Sequence, residues 1–361
     1  MRLFLSTLAA ALALATAPAF AQTLDEMAGQ MILLGFSGDS AGDASVRAVT
    51  TQLAEGEIGG VMYLRTNVAS RDAVTEMNRG FLAATPDLPP FISLDQEGGS
   101  VERLTRAVGF EEIPSAAAIA SSRSVAEARV LFEHQADAVA AWGFNVNFTP
   151  VVDLATNPAN PVIAKFGRSF SAGANIVTAY AEQAIAAHQA AGLVTSLKHF
   201  PGHGSSAGDT HEGYVDITES WDDTELAPYR ALIAQGYSDF VMVGHLVKTD
   251  ISPLPASLSP EWITGVLRDD LGFKGVVISD DLEMGAIRQH YGLRETVRRA
   301  VLAGMDVLLF SNTSKPRASL GDEVRAILVE EAEADPAFRA RIEESYGRIV
   351  ALKGRMGRST G

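Results

Sequence analysis

Three short stretches of the chain combine acids, bases and glycines in patterns that suit chemistry. The first is Leu94-Asp95-Gln96-Glu97-Gly98-Gly99-Ser100-Val101-Glu102-Arg103. A carboxylate followed by two glycines lets backbone approach a ligand closely, and Asp95 could accept hydrogen bonds from vicinal hydroxyls. The second is Lys198-His199-Phe200-Pro201-Gly202-His203-Gly204, running on to Asp209-Thr210-His211. Asp209 is close enough in sequence to orient the His211 imidazole and fix its tautomer, as a proton donor near neutral pH requires. The third is Val276-Val277-Ile278-Ser279-Asp280-Asp281-Leu282-Glu283-Met284. Adjacent acids point to different sides, so one can face a site while the other caps a following helix at its positive N-terminus. An ionised Asp280 suits nucleophilic attack and a covalent intermediate.

Each stretch also has a purely structural reading. Asp95 with its glycines fits a tight turn, Asp280-Asp281 fits a pair of helix caps, and His211 alone fits an ordinary loop histidine. Two further segments stand beside them. Gly167-Arg168-Ser169-Phe170 supplies a guanidinium for hydroxyl or carboxylate recognition, and His245 either lines the site or packs behind it. His134, His188 and His290 read as structural or surface residues.

What would position these groups is a recurring unit, a short apolar run that stops at polar residues and leads into a longer amphipathic stretch. The runs are Met31–Phe36, Ile58–Leu64, Pro90–Leu94, Val146–Leu154, Val194–Phe200, Phe240–Leu246, Gly275–Ile278 and Val307–Phe310. They are rich in Val, Ile, Leu and Phe without clean alternation, as strands buried on both faces should be. Ala69–Ala84, Ala174–Ala190, Thr224–Ala234 and Glu295–Ala303 read as helices, with N-terminal signals at Ser70 or Asp72, Asp222 and Ser259. Gly192, Gly236, Gly272 and Gly304 suit left-handed ends. Strand–helix alternation predicts an α/β fold, a single-domain (β/α)8 TIM barrel, with a doubly wound open sheet as the other arrangement. In a barrel the catalytic groups sit where strands end. Those ends carry Asp95 and Glu97, Asp153, Lys198 and His199, His245, Asp280 and Asp281. Pro336–Gly354 reads as a last helix packed on the outside.

Composition narrows the partners. Arg2, the apolar run Leu3–Ala15 and Ala19-Phe20-Ala21 predict a signal peptide over residues 1–21, with the catalytic unit over 22–361. That run is too short to span a bilayer, which needs roughly 20 apolar residues. Stable membrane insertion after cleavage is therefore not expected. A periplasmic or secreted location is. The formal net charge is −15, and losing Arg2 with the leader leaves −16. So acidic a chain argues against nucleic acid, whose phosphates need clustered Lys and Arg. With no cysteine, disulfides, thiolate metal sites and a cysteine nucleophile are excluded.

Taken together, these segments resemble glycoside hydrolase family 3, within it the single-domain bacterial β-N-acetylglucosaminidases. The resemblance runs from about Leu24 to the C-terminal helix. It rests on Asp95-Gln96-Glu97-Gly98-Gly99, Gly167-Arg168-Ser169-Phe170, Ile278-Ser279-Asp280-Asp281-Leu282 and, most specifically, the Lys198–Gly204 run followed by Asp209-x-His211. It implies Asp280 as nucleophile and His211 as acid/base assisted by Asp209. It also implies Asp95, Arg103, Arg168, Lys198 and His199 as a clamp on the terminal sugar. The implied reaction retains anomeric configuration and removes terminal β-linked N-acetylglucosamine from cell-wall (muropeptide) or chitin-derived oligosaccharides. No cofactor or metal is expected, and the chain is expected to be a monomer. A histidine in place of a second carboxylate adds no negative charge near Asp280. Ser100 departs from the arginine many relatives carry there.

Four other readings compete. A metal-dependent hydrolase would draw on His199, His203, His245 and Asp280, but Pro201 and Gly202 keep the first two off one helical face. A sugar-binding protein would keep the clamp without the chemistry. A β-glucosidase or a phosphate-dependent β-N-acetylglucosamine phosphorylase of the same family would keep both.

Overall fold

The computed structural model describes residues 22–85, 87–313 and 315–356. The expected signal peptide lies outside the described residues. From the N-terminus come α1 (Leu24–Gln30), β1 (Ile32–Gly35), α2 (Ala44–Ala54), β2 (Gly60–Tyr63), α3 (Arg71–Ala84), β3 (Phe91–Leu94), α4 (Ala116–Ser122), α5 (Val125–Ala141) and β4 (Val146–Asn147). There follow α6 (Ala174–Ala190), β5 (Ser196–Phe200), β6 (Val215–Asp216), α7 (Ala227–Ala234), β7 (Phe240–Val243) and β8 (Leu246–Val247). A π-helix, Glu261–Asp270, leads to β9 (Val276–Ser279), α8 (Gly285–Arg288), α9 (Leu293–Ala303), β10 (Leu308–Phe310), α10 (Leu320–Ala334) and α11 (Pro336–Lys353).

The architecture is α/β with parallel strands. One sheet has the order β10-β1-β2-β3-β4 and a second the order β5-β7-β9, every neighbouring pair being parallel. The continuous ladders form these two sheets rather than one ring. Between them run single parallel bridges, Val146 to Val194, Val151 to Lys198, and Ile278 to Val307. Each of the eight apolar runs holds one of these strands, the run Gly275–Ile278 stopping one residue short of the end of β9. Their residues are buried at every position, which is why the runs do not alternate.

Strand boundaries are tighter than the runs suggested. The run from Val146 pairs as a ladder only at Val146 and Asn147; farther on Pro150 has no N–H to offer, and Val151 makes a single bridge to Lys198. The run from Phe240 splits, with β7 ending at Val243 and Leu246-Val247 pairing with Val215-Asp216 instead.

Helix ends follow their local signals. The Ser70 hydroxyl accepts the Ala73 N–H to start α3, and the Asp222 carboxylate accepts the Thr224 N–H ahead of α7. Gly304 closes α9 at φ +115°, a left-handed conformation that costs glycine nothing. The last helix, α11, covers the N-terminal ends of the strands. Its buried Lys353 donates to Gln30 Oε1 at 2.6 Å and the Gly59 carbonyl at 2.7 Å, with Nζ 4.6 Å from the centre of the Phe91 ring. Arg341 and Arg348 converge with Arg268 on buried Asp306. This leaves the C-terminal ends of the strands as the open face.

Candidate active site

At that open face lies a cavity of about 350 Å³. Asp95, Arg103, Arg168, Lys198, His199, Asp209, His211 and Asp280 all line it, with Asp281 and the apolar side chains of Met62, Val101, Val162, Phe166, Met242 and Leu309. The eight residues singled out from the sequence, spread over 186 positions from Asp95 to Asp280, thus meet at one place.

The β3 and β5 ends supply a charged network. Lys198, almost wholly buried, places Nζ 2.7 Å from Asp95 Oδ1 and 2.7 Å from Glu97 Oε1. Arg103 Nη2 donates to the other Asp95 oxygen at 2.8 Å. Arg168 meets Glu97 in a fork, Nε to Oε2 at 2.9 Å and Nη2 to Oε1 at 2.8 Å. Burial alone would raise both carboxyl pKa values. Arg168 and Lys198 hold Glu97 far below the usual carboxylate range, and Lys198 with Arg103 holds Asp95 below its ordinary value. The tight turn read at Gly98 and Gly99 is also present. An added Cβ on Gly98 would sit 2.5 Å from the Pro114 carbonyl oxygen, so the turn and the site are one feature.

Asp153, fully buried after β4, organises the wall around His199. Its Oδ1 accepts the backbone N–H groups of His199 at 3.1 Å and His203 at 2.7 Å, and its Oδ2 faces His199 Nδ1 at 2.7 Å. A carboxylate there fixes His199 as the Nδ1–H tautomer when neutral, with Nε2 turned to Arg168 Nη2 at 3.3 Å. Burial would raise the Asp153 pKa, but the charge and hydrogen bonds of His199 lower it. His203 is buried and bonded to Ser206 Oγ at 2.7 Å, and burial takes its pKa down to about 4.

At the end of β9 the two adjacent acids separate in character. Burial would raise Asp280, but His199, His245, His211 and the Asp281 N–H bring it down to about 2. Among the described residues its Oδ2 receives no hydrogen bond. Asp281 is pushed up by burial and by the charge of Asp280. It does not cap α8 as one reading expected. Its Oδ1 accepts the Glu283 N–H at 3.0 Å and the Ser311 N–H at 2.9 Å, tying β9 to the end of β10. His245 packs behind the site, bonded to Ser257 Oγ at 2.7 Å and the Asp281 carbonyl at 2.9 Å, and burial lowers its pKa.

Across the mouth, His211 is largely exposed. Its Nδ1 lies 2.7 Å from Asp209 Oδ1, which also accepts the His211 N–H at 2.9 Å. Burial would raise the Asp209 pKa, but these bonds lower it. Among the described residues His211 Nε2 has no hydrogen-bond partner.

Glu97 and Asp153 read from the sequence only as strand-end acids; the roles they take here rest on partners far along the chain. Glu225 carries no signal of a role in the sequence. This buried carboxyl, in the 3-10 turn just before α7, accepts the N–H groups of Gly204 at 3.0 Å and Ser205 at 3.2 Å and so supports the loop after β5. Ser100 is exposed and makes no side-chain hydrogen bond among the described residues. The histidines considered as metal ligands are engaged elsewhere, and among the described residues no three His, Asp or Glu groups gather in metal-holding geometry.

Comparison with known proteins points to one family. The model of the glycosyl hydrolase family 3 N-terminal domain matches residues 23–352. A protein of Xylella fastidiosa (strain M23) named beta-hexosaminidase is 36% identical over 288 residues, covering 77% of this chain and 82% of its own. One of Stenotrophomonas maltophilia (strain R551-3) with the same name is 37% identical over 261 residues, covering 70% and 76%. Among solved structures, a family 3 beta-N-acetylglucosaminidase from Paenibacillus sp. str. FPU-7 superposes with a TM-score of 0.84 at 34% identity, over 93% of this chain and 63% of that one. The beta-N-acetylhexosaminidase of Beutenbergia cavernae DSM 12333 superposes with a TM-score of 0.81 at 29% identity, over 92% and 99%. A single family thus accounts for the chain from its first helix to its last, and this protein belongs to glycosyl hydrolase family 3.

Proposed function

We propose that this chain is a retaining exo-β-N-acetylglucosaminidase, with Asp280 as nucleophile, His211 as acid/base and Asp209 as its orienting partner. The observation that carries the reading is the pairing, across one cavity, of a carboxylate kept ionised with an imidazole whose Nε2 is free to meet a leaving oxygen. Asp280 Oδ2 attacks the anomeric carbon while the His211 Nε2–H protonates the departing oxygen. The neutral ring, held as the Nδ1–H tautomer by Asp209, then accepts a proton from water through Nε2 as that water displaces Asp280. Asp95, Arg103, Arg168, Lys198 and His199 grip the hydroxyls of the terminal sugar, with Glu97 holding Arg168 and Lys198 in place. We also read the two sheets as arcs of one (β/α)8 barrel, which the bridges at Val194, Lys198 and Val307 support.

The names of the relatives support a GlcNAc-containing substrate. The leader read at residues 1–21 supports export to the periplasm or beyond, and with it cell-wall or chitin-derived oligosaccharides as natural substrates. Purified protein should hydrolyse an aryl β-N-acetylglucosaminide without added phosphate, and Asp280→Ala should not. Preference for an aryl β-glucoside, or a strict need for phosphate, would replace this reading. Edman sequencing of the exported protein should begin at Gln22, and an intact N-terminus in the cytoplasm would refute export.

A further inference from the structure

The loop that carries His211 is docked on the segment that follows Asp280. Helix α8 has only four residues, and its first N–H groups have no partners within it. They are taken by the loop. Gly285 N–H donates to the His211 carbonyl at 3.2 Å, and Ala286 N–H donates to the Thr210 carbonyl at 3.1 Å. One turn on, Gln289 Nε2 donates to the Glu212 carbonyl at 2.9 Å. The contact leaves no room. A Cβ on Gly285 would lie 2.7 Å from the His211 carbonyl oxygen and 2.7 Å from the Glu212 carbonyl oxygen. Gly285 is thus required by close approach, not by its φ. The turn that leads into α8 is fixed to the nucleophile segment, since the Met284 N–H donates to the Asp281 carbonyl at 3.0 Å, which also faces His245 Nε2 at 2.9 Å.

We infer that Gly285 and Gln289 are positioning residues that form a latch, setting the His211 imidazole at a fixed reach from Asp280. The inference rests on the proposed acid/base role of His211. The chain from Asp280 to Gln289 then carries the nucleophile at one end and the seat of the proton donor at the other. A methyl on Gly285 displaces the 210–212 backbone while leaving Asp280, its hydrogen bond and the sugar clamp where they are. Removing the Gln289 amide loosens the same backbone without adding bulk.

The test compares Gly285→Ala and Gln289→Ala with His211→Ala on two substrates, an aryl β-N-acetylglucosaminide with an acidic phenol and N,N′-diacetylchitobiose. General acid catalysis is worth on the order of 10²–10⁴-fold, and most of it is needed only for the poor leaving group. Gly285→Ala should lose about tenfold or more in kcat/KM on the disaccharide and under about threefold in kcat/KM on the aryl substrate, because kcat/KM reports the glycosylation step alone. Gln289→Ala should show the same pattern, more weakly. The Gly285→Ala/His211→Ala double variant should be no slower than His211→Ala alone. Equal losses on both substrates, or additive losses in the double variant, would overturn the latch. If His211→Ala itself shows no difference between the substrates, the acid role fails first. Should Gly285→Ala fold poorly by thermal melt, Gln289→Ala carries the comparison alone.

Discussion

Arg168 meets Glu97 in a two-pronged hydrogen-bonded pair, 2.9 Å from Nε and 2.8 Å from Nη2, at the wall of the cavity. Glu97 therefore serves the site indirectly, by fixing two cations that would touch sugar. Replacing one partner of a buried pair leaves the other uncompensated, a cost of about 3–5 kcal/mol. Glu97→Gln should lower the melting temperature and raise KM, and Arg168→Lys, which cannot reproduce the fork, should raise KM as well.

The same pair has a pH signature. The folded Glu97 pKa is depressed, so its contribution is present above the unfolded value of 4.5 and is lost as pH falls through the lower folded value. Denaturant unfolding measured from pH 6 down to pH 3 should show stability falling in the wild type. The acid limb should be shallower in Glu97→Gln.

Glu225 predicts the opposite sign. Burial raises its carboxyl to about 7, against an ordinary 4.5. Its contribution is full below pH 4.5 and is lost as pH rises through 7, because the unfolded chain releases the proton first. Glu225→Gln should flatten this decline between pH 4.5 and 7 in unfolding experiments. A decline as steep as that of the wild type would show that Glu225 is not its source.

Asp153 fixes His199 through its Nδ1 and its backbone N–H, and also accepts the His203 N–H. Asp153→Asn offers an N–H where His199 already donates, so the ring must change tautomer or turn. KM should rise several-fold and stability should fall by about 1–3 kcal/mol, the cost of unsatisfied buried donors. Unchanged KM would remove His199 from the sugar clamp.

Much of this was legible in the sequence, for identifiable reasons. The eight apolar runs each hold a strand because burial on both faces leaves no room for alternation, a local property of the chain. Asp95, Lys198 and Asp280 were visible because a buried strand must end in polar residues, and those ends converge. What stayed hidden depends on partners distant in the chain. Glu225 looks locally like an acid in a first helical turn, and only packing brings it to Gly204 and Ser205. Asp281 looks like a helix cap, but the Ser311 N–H that it accepts comes from the next strand end, 30 residues on. Gly285 carries no local signal, because nothing near it in sequence reveals the loop seated against it.

The most direct test of the account is to trap the intermediate. In His211→Ala, an aryl β-N-acetylglucosaminide with a good leaving group should still glycosylate the protein, while hydrolysis slows for want of a base. Rapid quenching, proteolysis and mass spectrometry should then find one N-acetylhexosaminyl residue on the peptide containing Asp280, and the wild type should release the β-anomer by NMR. A label on another residue, or release of the α-anomer with no adduct at all, would contradict nucleophilic attack by Asp280.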